Sequence, residues 1–206
     1  MSRPRAVKKE APYHHGDLRR VILETALELL AEKGESSVTL REIARRAGVS
    51  HAAPYRHFSD HRALLAALND EGFMALRHAL EAATAKVSAA APVSRLLVVA
   101  ETYVDFAAAN PARYRLMFAG PRHAAPDGSN VPAEVFAYVA GLVAEAQAQG
   151  ALRQENVKLM TNMIWATVHG IASLALNQRL VGTETGDNSS TLAREAIAAL
   201  IKGLAP

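Results

Sequence analysis

The sequence predicts an all-α protein, and three observations lead to this prediction. Half of the 206 residues are apolar and only 5% are aromatic, with alanine prominent, which favours closely packed helices over a β-sandwich. Apolar residues recur at spacings of three and four along most of the chain. The chain has no cysteine, which excludes a disulfide scaffold, a cysteine-based zinc site and a cysteine nucleophile.

The first two helices are predicted from their apolar faces and their end signals. The first helix ends before Gly34, and its apolar face is formed by Leu18, Ile22, Ala26, Leu29 and Leu30. The second helix begins after Thr39, because Glu42 stands three residues later, as in a capping box. Gly48 ends this helix and supplies the left-handed conformation that the next turn requires.

The rest of the chain continues the helical pattern. A third, short helix is predicted from Ser50 to about His57, and a fourth from about residue 60 to about residue 90, where Pro92 breaks it. Further helices are predicted over residues 93–109, 112–118, 132–149, 155–180 and 189–203, with residues 119–131 as a loop rich in proline and glycine.

Charge is distributed unevenly along the chain. Residues 1–62 contain twelve Lys and Arg against eight Asp and Glu, whereas residues 63–206 contain eleven against twelve. This split indicates a small module that binds an anion, joined to a larger and nearly neutral body. We expect a flexible basic arm over residues 1–13, a first domain over 14–76 and a second domain over 77–206.

Neither a membrane nor a secreted location is predicted. No apolar stretch reaches the roughly 18 residues that a membrane span needs. The basic N-terminus is not followed by the apolar region of a secretion signal. We therefore expect a cytoplasmic protein, with which the absence of cysteine is compatible.

The most specific pattern is TLREIARRAGVSHAAPYRHF at residues 39–58. A helix of about eight residues, a short turn containing Gly48 and a second short helix form a helix-turn-helix. Ala44 is small where the two helices approach each other. The outward residues of the second helix are short or polar, as entry into the DNA major groove requires; they are Ser50, His51, Ala52, Ala53, Tyr55, Arg56 and His57.

Residues 14–68 resemble a known family on these motifs together with the run ILETALELL at residues 22–30, Gly34 and Leu64-Leu65. The stretch is similar to the N-terminal domain of TetR-type transcriptional regulators, including the signature from Tyr55 to Phe58. The resemblance implies an all-α homodimer, usually a repressor, whose C-terminal domain binds a small-molecule effector. Residues 165–170, WATVHG, are similar to the Trp-x-x-x-His-Gly stretch of the WHG-type C-terminal domain.

The resemblance also implies roles for individual residues. Thr39, Tyr55 and His57 contact phosphate oxygens, which position the protein without reading sequence. Base reading falls to Ser50, His51, Ala52, Ala53 and Arg56. Two positions depart from the family pattern. His61 stands where a lysine is common, so the charge at this phosphate contact depends on pH. Pro54 replaces a more usual leucine, and its missing N–H can distort the first turn of the helix.

Two interpretations stay open for Trp165 and His169, which share one helix face. They line an effector pocket in which the histidine offers a hydrogen bond, or they belong to a packed core. The same alternatives apply to the other candidate pocket residues, which are Tyr103, Phe106, Met117, Phe118 and Met163.

The expected partners are a palindromic double-stranded DNA operator, a small-molecule effector and a second copy of the chain, bound through the last two long helices. No cofactor is expected. A metal site at His57 and His61 lacks supporting carboxylates, and no phosphate loop or nucleophile elbow indicates an enzyme. Two alternatives remain: a helical small-molecule-binding protein or enzyme without specific DNA binding, and a DNA binder that tolerates any sequence.

Overall fold

The computed structural model describes residues 18–118, 130–180 and 189–204. Within these residues every regular element is helical, with eight α-helices and two short 3-10 helices, which confirms the all-α prediction. The described chain forms two compact units that divide between His61 and Arg62. The predicted arm and most of the predicted loop at 119–131 lie outside the described residues, and the predicted domain boundary after residue 76 stays a prediction.

The first unit contains α1 (Leu18–Lys33) and α2 (Leu40–Arg46). Gly34 and Gly48 follow these helices with φ values of 80° and 69°, the left-handed region that favours glycine. Thr39 caps α2, because its hydroxyl oxygen accepts the backbone N–H of Glu42 at 3.2 Å. These end signals were all readable in the sequence, and they fix where the segment after α2 begins.

The predicted third helix from Ser50 to His57 is wrong in extent. Residues 51 and 52 form a turn and residue 53 a bend, and within the segment only Pro54–Arg56 forms a helix, a single 3-10 helix. The N–H groups of Ala53, Arg56 and His57 donate to the carbonyls three residues before them, those of Ser50, Ala53 and Pro54. The N–H of Phe58, directly after the segment, donates to the Pro54 carbonyl four residues before it. Pro54 has no N–H to donate to Ser50, so the four-residue repeat of an α-helix cannot pass through this position.

The second unit is a helical bundle built around α4. This helix packs against α6, α7 and α8, and its inward residues are completely or almost completely buried. The helices of this unit are α3 (His61–Thr84, whose first residue belongs to the first unit), α4 (Pro92–Ala109), α5 (Pro111–Phe118), α6 (Val131–Ala148), α7 (Val157–Leu176) and α8 (Ser189–Gly203).

Several helix limits in this unit differ from the prediction, and the largest differences lie at the ends of α3 and α7. The helix predicted over residues 155–180 extends only over Val157–Leu176. α3 ends at Thr84 and does not reach residue 90; the Thr84 hydroxyl donates to the Leu80 carbonyl at 2.8 Å. Pro92 is the first residue of α4, where a missing N–H has no helical partner to lose.

The start of α7 is fixed by two side chains. Asn156 caps the helix by accepting the N–H of Leu159 at 3.0 Å. The buried amide of Gln147, near the end of α6, donates to the carbonyls of Arg153 and Glu155 at 3.0 and 2.8 Å. The residues directly before α7 are therefore hydrogen-bonded to α6, which fixes the position at which α7 begins.

α7 is also the one described helix that is long and apolar enough to cross a membrane by length and composition. Its mean hydropathy over 18 residues is 1.3, and a third of that window is buried within the protein. The helices of soluble cores pass the same test, so the observation is weak support for a membrane span. The sequence-based statement that no stretch qualifies is nevertheless too strict for this helix.

Candidate nucleic-acid interface and C-terminal polar cluster

The residues predicted to face DNA form an open surface of the first unit. All of them are exposed except Ala53, which is half-buried. An open concavity of about 260 Å³ is formed by Thr39, Leu40, Arg41, Tyr55, Ser59, Asp60 and His61. Three of the predicted phosphate contacts, Thr39, Tyr55 and His61, therefore lie together, whereas His57 is exposed without lining this concavity.

The Thr39 hydroxyl group is positioned for a second hydrogen bond. Its oxygen already accepts the Glu42 N–H, which holds the side chain over the start of α2. Because a hydroxyl group both accepts and donates, its proton is left for an outside acceptor such as a phosphate oxygen. The same residue therefore starts the helix and faces the concavity.

Two buried side chains hold the segment from Ser50 to His57 in place. Pro54 is buried, Phe58 is only 3% exposed, and the guanidinium of Arg19 lies 5.4 Å from the centre of the Phe58 ring. Tyr55 lies between these two anchors and is 57% exposed. The segment thus presents its polar side chains on a fixed backbone although it is not an α-helix.

The arginines of α2 differ in their surroundings. Arg46 forms ion pairs with Glu32 and Glu28 of α1, and its hydrogen bond lowers the pKa of the Glu32 carboxyl group. These pairs connect the two helices. Arg41, in contrast, lines the concavity beside Thr39 and Tyr55. Sequence reasoning missed Arg41, although an arginine directly after a helix N-cap residue is a readable signal.

A cluster of polar side chains lies in the second unit, around His169 of α7. The Nδ1 atom of His169 lies 2.8 Å from the Tyr114 hydroxyl of α5 and 3.1 Å from the Tyr103 hydroxyl of α4. The Nε2 atom lies 3.4 Å from the Ser173 hydroxyl, and the Trp165 indole N–H donates to Tyr103 at 3.4 Å. We call these five residues the polar cluster.

The hydrogen bonds indicate where the hydroxyl and ring protons of the polar cluster lie. Trp165 can only donate, so the hydroxyl proton of Tyr103 must point to the side of His169 and Tyr114. With two hydroxyl groups near Nδ1, we assign this nitrogen as the acceptor and place the ring proton on Nε2. Burial lowers the pKa of His169, and it raises the pKa of both tyrosines, so the cluster is neutral at ordinary pH.

Aromatic rings extend from the polar cluster to neighbouring helices. The Phe118 ring centre lies 4.5 Å from that of His169, 4.8 Å from Tyr114 and 5.4 Å from Phe73 of α3. On the other side, Trp165 contacts Phe136 of α6 at 6.1 Å. Rings from α3, α5, α6 and α7 therefore form one connected group.

The structure brings some of the predicted pocket residues together. Tyr103, Phe118, Trp165 and His169 belong to the polar cluster or its ring contacts. Phe106 is half-buried against the core and Met163 is 36% exposed; the ring contacts of the described residues do not include Phe106. Sequence reasoning missed Tyr114 and Ser173, although Ser173 lies one helical turn after His169 and was readable as a neighbour on the same face.

α5 is joined to α3 by a hydrogen bond and a close contact. The Asn69 side-chain amide donates to the Met117 carbonyl at 3.2 Å, near the end of α5. A Cβ atom on Gly72 would lie 2.7 Å from Met117 Cγ and 2.9 Å from Met117 Sδ, so a side chain at this position would force Met117 to shift. Met117 was a predicted pocket residue, and its side chain meets α3.

The outer face of α7 is apolar. Leu159, Met163 and Leu174 are 52%, 36% and 46% exposed, and Ala166 is exposed between them. Ala172 of α7 and Ile197 of α8 belong to the same apolar pattern, but they are buried inside the second unit and cannot face a partner. Only part of the apolar pattern of α7 and α8 is therefore available for dimerisation.

A helix-turn-helix unit with an exposed polar segment, followed by a helical bundle, defines a DNA-binding transcriptional regulator. Residues 22–68 match the family model described as bacterial regulatory proteins, tetR family. Residues 96–200, more than half of the chain, match the tetracyclin repressor-like C-terminal domain. The chain therefore belongs to the TetR family, whose members bind DNA operators and typically dimerise.

Solved structures agree with this assignment. A protein of unknown function from Rhodococcus sp. RHA1 is 38% identical over 96% of this chain and 100% of its own, with a TM-score of 0.80. The TetR family transcriptional regulator PfmR from Thermus thermophilus is 20% identical over 90% and 99%, with a TM-score of 0.66. A bacterial regulatory protein in the tetR family from Rhodococcus RHA1 is 20% identical over 94% and 98%, with a TM-score of 0.67. At 20% identity the likeness concerns the fold alone.

Proposed function

We propose that this chain is a repressor that a small-molecule effector releases from a palindromic operator. The observation that carries the proposal is the segment from Ser50 to His57. Its short or polar side chains are exposed except for the half-buried Ala53, and the buried Pro54 and Phe58 anchor it. Short side chains allow close approach to base edges, and polar ones form hydrogen bonds there. Because these side chains are exposed, they do not contribute to packing within the protein and are free to contact DNA.

In the proposed complex, Thr39, Tyr55 and His57 contact phosphate groups, with Arg41 and His61 beside them. The permanent charge of the Arg41 guanidinium supports docking to phosphate groups. Base reading falls to the remaining residues of the segment, which are Ser50, His51, Ala52, Ala53 and Arg56.

We propose that two copies associate through α7 and α8. The exposed apolar face of α7, with Leu159, Met163 and Ala166, would be covered in such a dimer. On α8, the exposed Ala199 is small enough to permit close helix contact. A two-fold dimer presents two reading segments, which suits a palindromic operator with half-sites about one helical turn, roughly 34–36 Å, apart or a multiple of it.

The effector site of the proposal is the polar cluster. It combines hydrogen-bonding groups with aromatic walls, which is the usual make-up of a small-molecule site. An effector there would move Tyr114 and hence α5, and the contacts of Asn69 and Gly72 would pass this movement to α3. α3 follows Asp60 directly in the chain, so a tilt of α3 would change the separation of the two reading segments. The affinity for DNA falls only if the effector binds this tilted shape better than the shape that binds DNA.

Two finer assignments belong to the same proposal. The Trp165, His169 and Gly170 pattern suggests the WHG type of C-terminal domain, which the match to a tetracyclin repressor-like C-terminal domain does not specify. A regulator of transcription acts where the chromosome is, so we place the protein in the cytoplasm.

Hydroxyl-radical footprinting of DNA upstream of its own gene tests this proposal. We expect two protected patches related by two-fold symmetry, with their centres about one helical turn or a multiple of it apart. The Leu159→Glu variant, which places a charge on the exposed face of α7, should protect neither patch at the same concentration, whereas Lys158→Glu on the neighbouring position should protect both. Protection by a monomer, or a single asymmetric patch, would contradict the dimeric operator complex.

A further inference from the structure

Within the part of the chain that the structure describes, two N–H donors of the polar cluster have long hydrogen bonds. With the proton of His169 on Nε2, the partner of this donor is the Ser173 hydroxyl at 3.4 Å. The Trp165 indole N–H reaches the Tyr103 hydroxyl at the same distance of 3.4 Å. Good bonds from nitrogen to oxygen are about 2.9–3.0 Å long. Both donors are therefore weakly satisfied, whereas the Tyr114 bond to Nδ1, at 2.8 Å, is short and complete.

These donors lie close together on a surface that is open at one side. The rings of Trp165 and His169 are 6.3 Å apart, and Trp165 is 36% exposed. Phe118 and Phe136 are half-buried on either side, in ring contact with His169 and Trp165, respectively. The donors are thus framed by aromatic faces and edges, which favour a flat aromatic partner.

The site carries no ionised group within the described residues. The hydrogen bonds and ring contacts of the polar cluster join it only to neutral side chains. Two charged residues of neighbouring helices are paired elsewhere: Glu101 of α4 with Arg194 at 2.9 Å, and Arg77 of α3 with Glu134 at 2.7 Å. Arg115 of α5 donates to the Leu176 carbonyl at 3.3 Å. The hydrogen bonds and ring contacts of the polar cluster offer a buried anion no cationic partner, and burial, which lowers the pKa of His169, disfavours a charged group at this place.

We infer that the polar cluster binds an uncharged, planar aromatic compound that carries one hydrogen-bond acceptor, such as a ketone or amide oxygen. The His169 Nε2–H donates to this oxygen, and Trp165 and Phe118 contact the rings. The inference rests on the proposed function for the location of the effector site, and it adds the chemical class of the effector. An aromatic carboxylate of the same size is excluded by its charge, and a plain hydrocarbon lacks the acceptor.

Three probes of nearly equal size test the class: 2-acetylnaphthalene, 2-naphthoate and naphthalene, each titrated into the full-length protein by calorimetry. We expect 2-acetylnaphthalene to bind at least about tenfold more tightly than either of the others, which corresponds to about 1.4 kcal/mol. Its binding should also change the fluorescence of Trp165, the single tryptophan of the chain. Tightest binding by 2-naphthoate, equal affinities, or no binding by any probe would overturn the inference.

Variants separate a binding role from a folding role. His169→Phe should abolish the preference for 2-acetylnaphthalene over naphthalene, whereas His78→Phe, on an exposed site of α3, should preserve it. Ser173→Ala removes the competing partner of Nε2 and should tighten binding of 2-acetylnaphthalene by about threefold or more. If His169→Phe does not fold, weaker binding by Ser173→Ala still contradicts the role of Nε2.

Release from DNA is measured in the same samples with fluorescent upstream DNA. Binding of 2-acetylnaphthalene without release would leave the chemical class intact and contradict the effector role of the site. Release without binding at Trp165 would contradict the inference and leave the proposed repressor function intact. The two claims therefore fail separately.

Discussion

The two units of this protein differ in whether their functional polar side chains are exposed or buried. Between Ser50 and His57 they point to solvent, and only Pro54 of that segment is buried. In the polar cluster, Tyr103 and Tyr114 are 4% and 3% exposed and bond to each other and to His169. The exposed polar groups of the first unit therefore depend on a partner from outside, whereas those of the polar cluster have enough hydrogen bonds within the protein to fold without one.

The largest expected difference concerns Phe58 and Tyr55, two aromatic residues of the same segment. Phe58→Ala should lower the free energy of unfolding by about 3–5 kcal/mol, because a buried ring is lost from the anchor of the reading segment. Tyr55→Ala should change it by less than about 0.5 kcal/mol, since that ring is exposed. Urea unfolding of both variants checks this. A large loss for Tyr55→Ala would mean that its ring packs within the unit and is not reserved for DNA.

A second contrast concerns two helical glycines of the second unit. Gly72→Leu should cost about 1–3 kcal/mol of stability, because its side chain would overlap Met117, which is itself buried. Gly141→Leu in α6 should be neutral or stabilising, since nothing lies within 4 Å of a Cβ atom there and leucine favours a helix. Thermal unfolding of the two variants is the measurement. Equal stability would show that α3 and α5 do not need the close approach at Gly72.

The hydroxyl groups of Tyr114 and Tyr55 give a smaller but sharper test. Tyr114→Phe should destabilise the protein by about 1–3 kcal/mol, because it leaves the buried Nδ1 of His169 without its best donor. Tyr55→Phe should leave stability unchanged and weaken binding to all DNA sequences alike by about 1 kcal/mol. Unfolding and DNA titration on both variants separate the two effects. A change of sequence preference in Tyr55→Phe would place this hydroxyl among the base-reading groups.

The smallest expected effect is a pH dependence that comes from His169. Burial lowers its pKa in the folded protein, so below the unfolded value of about 6.5 the unfolded chain binds more protons. Stability from this group is complete above about pH 6.5 and is lost as the pH falls toward the lowered folded pKa. The slope of unfolding free energy between about pH 7.5 and about pH 5.5 should decrease in His169→Phe but not in His78→Phe. An unchanged slope in His169→Phe would mean that the ring takes up its proton without cost in the fold.

The sequence predicted those parts of the structure that are determined locally. Thr39 and Glu42 are three residues apart, and Gly34 and Gly48 lie one and two residues after the ends of their helices, so a single pass along the chain finds them. The prediction of a helix over residues 50–57 was wrong because it followed the pattern of exposed residues. The missing N–H of Pro54, which an α-helix would need for its bond to Ser50, has the larger effect.

The polar cluster was only half predictable for a different reason. Trp165 and His169 lie one turn apart and were paired from the sequence, but Tyr114 reaches His169 across 55 positions. Nothing local in α5 distinguishes Tyr114 from an ordinary core tyrosine. The same holds for Gly72, whose contact with Met117 depends on how α3 and α5 cross. Contacts between distant elements follow from packing, which the pattern of a single sequence does not encode residue by residue.

The central claim is that the exposed segment of the first unit reads a DNA sequence. Fluorescence-anisotropy titration of the protein on DNA upstream of its own gene, against a scrambled duplex of equal length at near-physiological salt, tests it most directly. We expect an affinity gap of roughly a thousandfold, and in His51→Ala a smaller gap with little change on the scrambled duplex. Equal and weak binding to both duplexes, unaltered by His51→Ala, would contradict the claim.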